Sequence, residues 1–156
     1  MTEEQYITAL KNNPHGVRNI PNPTEEMQLV CVEQNGMLLQ YIKNPTDRVI
    51  ETALAQSPRA IQYVDNPSDE LLISLVKQDW AVLEYIQHPS DEVVRIALDQ
   101  SGWAIRYIIN PSEELQLRAV ETQYDALQYI ANPSEQVQMA AVKSNYLALR
   151  YIQNPT

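Results

Sequence analysis

The dipeptide Asn-Pro recurs every 22 residues along the chain, and this period constrains the fold more than any other feature. A fixed period of 20–50 residues indicates stacked repeats that each contact only their neighbours. With the asparagine as position 1, which His88 replaces once, the chain contains seven repeats and a short stub. Their ranges are 1–21, 22–43, 44–65, 66–87, 88–109, 110–131 and 132–153, with the stub at 154–156.

Each repeat carries the signals for two helices. Position 3 is always Ser or Thr, which cap helix N-termini well, and positions 4 and 5 are mostly acidic, which suits the positive end of the helix dipole. Apolar residues at positions 6, 10 and 11 have α-helical spacing. Positions 17, 18 and 21 predict a second helix, short enough to be 3₁₀, which the next Asn-Pro ends.

A repeat of this size cannot bury its apolar face alone, so its neighbours must cover it. We therefore expect an all-α fold, a right-handed α-solenoid of seven helix-turn-helix repeats that form one domain over residues 1–156. Position 10 is small in every repeat except the fourth, which has Leu75, so the first helices can approach closely. Gln5, Gly16 and Asn19 give the first repeat a more polar character, as expected of a capping repeat.

Two segments carry a family resemblance. Cys31–Tyr41 reads CVEQNGMLLQY and Ala141–Tyr151 reads AVKSNYLALRY. Both resemble the core of a family of short tandem helical repeats, catalogued as a domain of unknown function, with members in bacteria, phages and large DNA viruses. The style is also similar to leucine-rich-repeat variants and HEAT-like solenoids. The resemblance spans the chain and implies an α-solenoid, without implying an activity.

The composition argues against several classes of protein. With 20 acidic and 11 basic side chains, the net charge of −9 does not suit direct nucleic-acid binding. No apolar run approaches the 18 residues of a membrane span, and no signal peptide is recognisable. The single cysteine, Cys31, cannot form an intramolecular disulfide and predicts a reducing, cytoplasmic setting.

Few residues suit catalysis. His15 and His88 occupy different positions of different repeats, and no His, Cys and Asp set has metal-ligand spacing. Three glycines are too few for a phosphate-binding loop, and Cys31 at the small position 10 indicates a packing thiol. We therefore expect no enzyme activity, no metal and no cofactor.

A tyrosine ladder occupies position 20 of six repeats. It could stack bases or peptides, but its regular recurrence beside the apolar position 21 favours rings packed between repeats. The ladder consists of Tyr41, Tyr63, Tyr85, Tyr107, Tyr129 and Tyr151.

An acidic ridge is expected where positions 4 and 5 line up along one edge. Complementing the helix dipoles is sufficient reason for these carboxylates, although such a ridge could also attract a basic surface or imitate DNA phosphates. The ridge consists of Glu25, Glu26, Asp47, Asp69, Glu70, Asp91, Glu92, Glu113, Glu114 and Glu135.

Aromatic residues replace small or polar ones at positions 15 and 16 of the later repeats, where the repeat itself does not require them. Exposed aromatic clusters often mark protein interfaces, so we predict that this aromatic stripe anchors a partner, with local packing as the alternative. The predicted anchors are Trp80, Trp103, Tyr124 and Tyr146.

The seventh repeat has the residues of an interior repeat, so we expect its outer face to be covered by a second copy or by a partner. A homodimer is the simpler expectation, because two-fold pairing needs no other protein. The residues predicted for this oligomerisation are Val137, Ala141, Val142, Leu149 and Ile152.

The sequence thus predicts a non-catalytic binding module that presents an extended acidic and aromatic surface to a partner protein. A phage or bacterial protein that binds and inhibits another protein would have this character. One alternative is an acidic mimic that blocks a nucleic-acid-binding protein. A small-ligand binder or enzyme is the other alternative, and it would need a pocket with converging polar groups.

Overall fold

The structure, a computed structural model, describes residues 1–152, of which 74% are helical. No strand occurs within this range, where each repeat contributes one ten-residue α-helix and one six-residue 3₁₀ helix. The expected all-α solenoid of seven helix-turn-helix repeats is confirmed, and each second helix is 3₁₀. The stub 154–156 lies outside the described residues.

The α-helices are α1 Glu3–Asn12, α2 Glu25–Gln34, α3 Asp47–Gln56, α4 Asp69–Gln78, α5 Asp91–Gln100, α6 Glu113–Thr122 and α7 Glu135–Ser144. The 3₁₀ helices of repeats 1 to 7 are Pro14–Asn19, Gly36–Tyr41, Pro58–Tyr63, Trp80–Tyr85, Gly102–Tyr107, Tyr124–Tyr129 and Tyr146–Tyr151.

The chain divides into two compact units, an N-terminal unit Met1–Pro67 and a C-terminal unit Ser68–Thr156. Within each unit, consecutive α-helices pack against each other. Each following α-helix also packs on the 3₁₀ helix of the preceding repeat, and the 3₁₀ helices contact one another. A repeat is therefore covered by its neighbours on both layers.

Each α-helix begins with the predicted cap. The position-3 hydroxyl oxygen accepts a hydrogen bond from the backbone N–H three residues later in all seven repeats. A cap of this kind contributes about 1 kcal/mol. In repeat 1 the Thr2 N–H also donates to Oε1 of Gln5 at 2.9 Å, so Gln5, expected as an outer-face residue, completes a capping box.

The backbone conformation of the turns explains why asparagine recurs at position 1. Asn44, Asn66, Asn110 and Asn132 have φ angles of 48–52°, in the left-handed region. Asparagine tolerates this region better than most side chains because its short amide can bond locally. Together with the proline that follows, it turns the chain from the 3₁₀ helix of one repeat into the next repeat.

The core is built from the predicted apolar positions. In repeat 5 these are Val93, Ala97, Leu98, Ala104 and Ile105, each at most 1% exposed. Position 10 is buried in repeats 2 to 7, and Cys31 fills this place in repeat 2 with no exposed surface. A small residue at this buried position lets neighbouring repeats pack closely.

Two glycines mark a still closer approach. A Cβ atom on Gly36 would lie 2.2 Å from the carbonyl oxygen of Ala53, and one on Gly102 would lie 2.2 Å from that of Ala119. Both carbonyls belong to position 10 of the following repeat. Glycine is needed at these two sites for space, because neither has a positive φ.

We expect Ala97→Leu to lower the free energy of unfolding by about 1–3 kcal/mol, because the core around position 10 has no room for extra methylene groups. Ala55→Leu makes the same change at an exposed position of α3 and should alter it by less than about 0.5 kcal/mol. Urea denaturation measures both variants. Equal losses would contradict the assignment of position 10 to the stacking contact.

We expect Gly102→Ala to cost more than about 2 kcal/mol, since its methyl group would overlap a backbone carbonyl that cannot rotate away. Gly16→Ala is the matched control, because its methyl group would meet only Leu10 Cδ2 at 3.5 Å, an ordinary contact. Thermal unfolding followed by circular dichroism compares the two. A Gly102→Ala melting temperature no lower than that of Gly16→Ala would show that the close contact does not exist.

Candidate binding surface

The position-4 carboxylates link consecutive repeats. Four position-3 hydroxyl groups donate to the position-4 carboxylate of the preceding repeat, three of them at 2.6–2.7 Å. The same hydroxyl oxygen caps its own helix, so one side chain serves two repeats. These pairs are Thr24–Glu3, Thr46–Glu25, Ser90–Asp69 and Ser134–Glu113. The sequence had suggested a dipole role and a possible binding role for these carboxylates, but not this link between repeats.

Part of the acidic charge is also paired with arginine. The ten ridge residues are all exposed. Arg95 lies 3.1 Å from Glu114 of the ridge, and Arg118 donates to both oxygens of Asp99, outside the ridge, at 2.7 and 2.8 Å. Hydrogen bonding to Arg118 holds the pKa of the Asp99 carboxyl below its ordinary value. Exposed pairs of this kind add little stability, but they reduce the local negative charge.

The tyrosine ladder lies partly between repeats. Tyr41 and Tyr129 are exposed and the other four rings are half-buried. The guanidinium carbon of Arg106 lies 4.7 Å from the ring centroid of Tyr107 and 5.9 Å from that of Tyr129, in the next repeat. Arg106 also donates to the Tyr107 hydroxyl at 2.7 Å. The rings thus contribute to packing while part of each remains accessible.

The four predicted anchors differ in exposure. Trp80 is half-buried, with its ring 6.3 Å from that of Tyr107 and tilted by 35°. Trp103 is also half-buried, and its Nε1–H donates to Oδ1 of Asp125 in the next repeat at 2.8 Å. Tyr124 is half-buried, whereas Tyr146 is 73% exposed. Through the Trp80 contact, the aromatic stripe joins the tyrosine ladder.

We call the 3₁₀ helices of repeats 4 to 7 the aromatic face. They contain eight of the eleven aromatic residues of the chain, whereas α4 to α7 contain none. Their charged side chains are two acidic and two basic, against nine acidic and four basic in α4 to α7. The C-terminal unit therefore combines a neutral, aromatic layer of 3₁₀ helices with an acidic layer of α-helices.

The residues predicted for oligomerisation do not share one surface. Val137 and Ala141 are fully buried, so they cannot contribute to an exposed face. Leu149 is 49% exposed, although every other repeat buries position 18 to 3% or less, and Val142 and Ile152 are half-buried. Of the five predicted residues, only these last three have accessible surface, and the homodimer remains a prediction.

Metal-ligating clusters and the single cysteine are the two features of the sequence analysis that bear on reactive chemistry. No group of three or more His, Cys, Asp or Glu side chains there could hold a metal ion. Cys31 is fully buried, and burial raises its pKa to about 11, which leaves a thiol that is a poor nucleophile. The described α-helices have ten residues each, about half the length of a membrane span.

Open pockets recur where the Asn-Pro or His-Pro turn that begins a repeat lies beside the tyrosine that ends the 3₁₀ helix of the same repeat. We call them edge pockets, and those of repeats 3, 5 and 7 have volumes of about 650, 450 and 680 Å³. The repeat-5 pocket is bordered by Ile109, which is 89% exposed. Ile109 is not among the residues predicted from the sequence, although an apolar residue at position 22 departs from the polar or small residues of most repeats.

Comparisons with protein-family models, with curated proteins and with solved structures each give no significant match. The resemblance to tandem helical repeats of unknown function therefore stays a prediction.

We expect Cys31 of the folded protein to react with a thiol reagent at least about 100-fold more slowly than a free cysteine at pH 8. A pKa of about 11 leaves about one thiol in a thousand ionised at that pH, and burial blocks access. Absorbance with Ellman's reagent measures the rate, and the same reaction in concentrated urea is the control. Rapid stoichiometric labelling without urea would contradict the buried position of this thiol.

Proposed function

We propose that this chain is a non-catalytic α-solenoid that binds a partner protein through the aromatic face of its C-terminal unit. The observation that carries the proposal is the concentration of eight aromatic residues in four short helices with no net charge. Tyr, Trp and Arg are the residues that most often dominate protein interfaces. This face combines all three types.

The geometry supports a prearranged interface. Asp125 orients the Trp103 ring, and Arg106 is held between two tyrosine rings. Side chains restrained before binding lose less conformational entropy when a partner orders them. The exposed ring of Tyr146 and the accessible part of Tyr129 extend the same face toward its C-terminal end.

The acidic layer would contribute to association in a different way. Exposed charges steer a partner of opposite charge and act mainly on the association rate, which salt reduces. We therefore expect the partner to carry a basic surface beside its contact with the aromatic face. Binding that covers the partner's own functional surface would make this chain an inhibitor, the role expected of a phage or bacterial protein of this kind.

An acidic mimic of nucleic acid ranks second. The position-4 carboxylates already accept hydrogen bonds between repeats, and Glu114 is paired with Arg95, so the ridge has structural reasons to exist. A small-ligand binder ranks third, because the edge pockets are open to solvent and would not enclose a small ligand.

The test combines capture of a partner from a lysate of the cells that express the protein with affinity measurements on the purified partner. We expect Tyr129→Ala with Tyr146→Ala to raise Kd by at least about 30-fold, since two interface aromatic residues are removed. Tyr41→Ala is the control, because Tyr41 is an exposed ladder tyrosine of the N-terminal unit. It should change Kd by less than about twofold.

Unchanged affinity of the double variant would overturn the proposal. A partner released by competing DNA and by high salt, and lost on Glu70→Gln with Glu92→Gln, would instead support the acidic mimic.

A further inference from the structure

The repeat-5 edge pocket differs from the others in its lining. It is bordered by His88, Val94, Tyr107, Ile108 and Ile109 and has a volume of about 450 Å³. Pockets of about 300–1,000 Å³ hold small ligands or large side chains. This one can therefore accept a Leu, Phe or Trp side chain together with adjoining backbone.

Two departures from the repeat meet in this pocket. His88 replaces the asparagine found at position 1 of the other described turns, and Ile109 occupies position 22. The equivalent residues of the repeat-3 pocket are Asn44 and Asp65, which are polar and charged. Neither replacement is needed for stacking, because both side chains are exposed.

Ile109 is the most exposed large hydrophobic residue among those described, at 89%. A single apolar residue on a surface is ordinary, but one that continues an apolar pocket is typical of a contact site. Val94 supplies a buried aliphatic floor to the repeat-5 pocket. The equivalent residue of the repeat-7 pocket is Gln138, whose side-chain amide donates a hydrogen bond to the Pro133 carbonyl. The repeat-5 pocket thus offers the most apolar surface of the three.

The charged groups beside the pocket are mostly acidic, although Arg106 stacks on the Tyr107 ring. Asp91 belongs to the lining and is exposed, and Glu92 and Glu113 of the acidic ridge are exposed at the starts of α5 and α6. A lysine or arginine next to the apolar side chain of a ligand would complement these carboxylates. The pocket therefore suits a segment that combines one large apolar residue with basic neighbours.

The pocket is continuous with the aromatic face. Tyr107 borders it and also contacts the Trp80 ring, with 6.3 Å between the two centroids. We propose that the repeat-5 edge pocket binds the large apolar side chain of a short basic segment of the partner protein. This inference rests on the proposed function, because it treats the pocket as part of the same interface.

A random dodecapeptide library displayed on phage is the probe, selected against the wild-type protein and against Ile109→Glu. We expect the wild type to enrich peptides in which Leu, Ile, Phe or Trp stands beside Lys or Arg. Synthetic copies of these peptides should bind Ile109→Glu at least about tenfold more weakly. Because Ile109 is exposed, the variant should keep the wild-type melting temperature, so lost binding would not reflect unfolding.

Ala131→Glu is the matched control, because Ala131 is the exposed position-22 residue of repeat 6 and does not line the pocket. It adds the same charge to the same edge and should change peptide affinity by less than about twofold. Equal weakening by both variants would show that charge alone is responsible and would overturn the inference.

The inference is also overturned if no peptide is enriched, or if the enriched peptides bind Ile109→Glu as well as wild type. The proposed function is judged separately by Tyr129→Ala with Tyr146→Ala against the purified partner. If that variant loses the partner while Ile109→Glu retains it, the aromatic face is the interface and the pocket is not.

Discussion

The close packing of each repeat on the next is the constraint on which the rest of the protein depends. Position 10 is Ala or Cys in every repeat except the fourth. At Gly36 and Gly102, which begin 3₁₀ helices, even a methyl group would overlap a backbone carbonyl of the next α-helix. Each 22-residue repeat buries its apolar residues through contacts with its neighbours in both layers. The aromatic residues of the C-terminal unit all lie in the 3₁₀ layer.

The polar residues of the repeat are also used in stacking. A hydroxyl at position 3 caps its own helix and donates to a carboxylate of the preceding repeat, as in Ser90 and Asp69. Gln100 reaches back to the Val76 carbonyl at 2.9 Å in the same way. The hydroxyl at position 3, which recurs in every repeat, therefore has a structural explanation. Residues that break the pattern, such as Ile109 and Trp103, are the better candidates for binding.

Local signals made most of the fold predictable. Ser or Thr at position 3, acidic residues after it and Asn-Pro at the end mark each helix, because capping and proline geometry act over a few residues. The candidate site was predictable only in part. Its aromatic residues stand out in the sequence as departures from the repeat. The pocket beside Ile109 does not, because it forms from residues of three repeats that meet only when the repeats stack.

The sequence by itself determined the repeat, the start and end of each helix, the small stacking position and the acidic character of the helical layer. Each of these follows from interactions within a few residues or from a period that is visible along the chain. Only the tertiary structure decided which side chains meet across repeats, such as Trp103 with Asp125 and Trp80 with Tyr107. It also decided that Val137 is buried while Leu149 is half exposed. The physical reason is that exposure depends on what the neighbouring repeat covers, and residues about 22 positions apart come together only when the repeats stack.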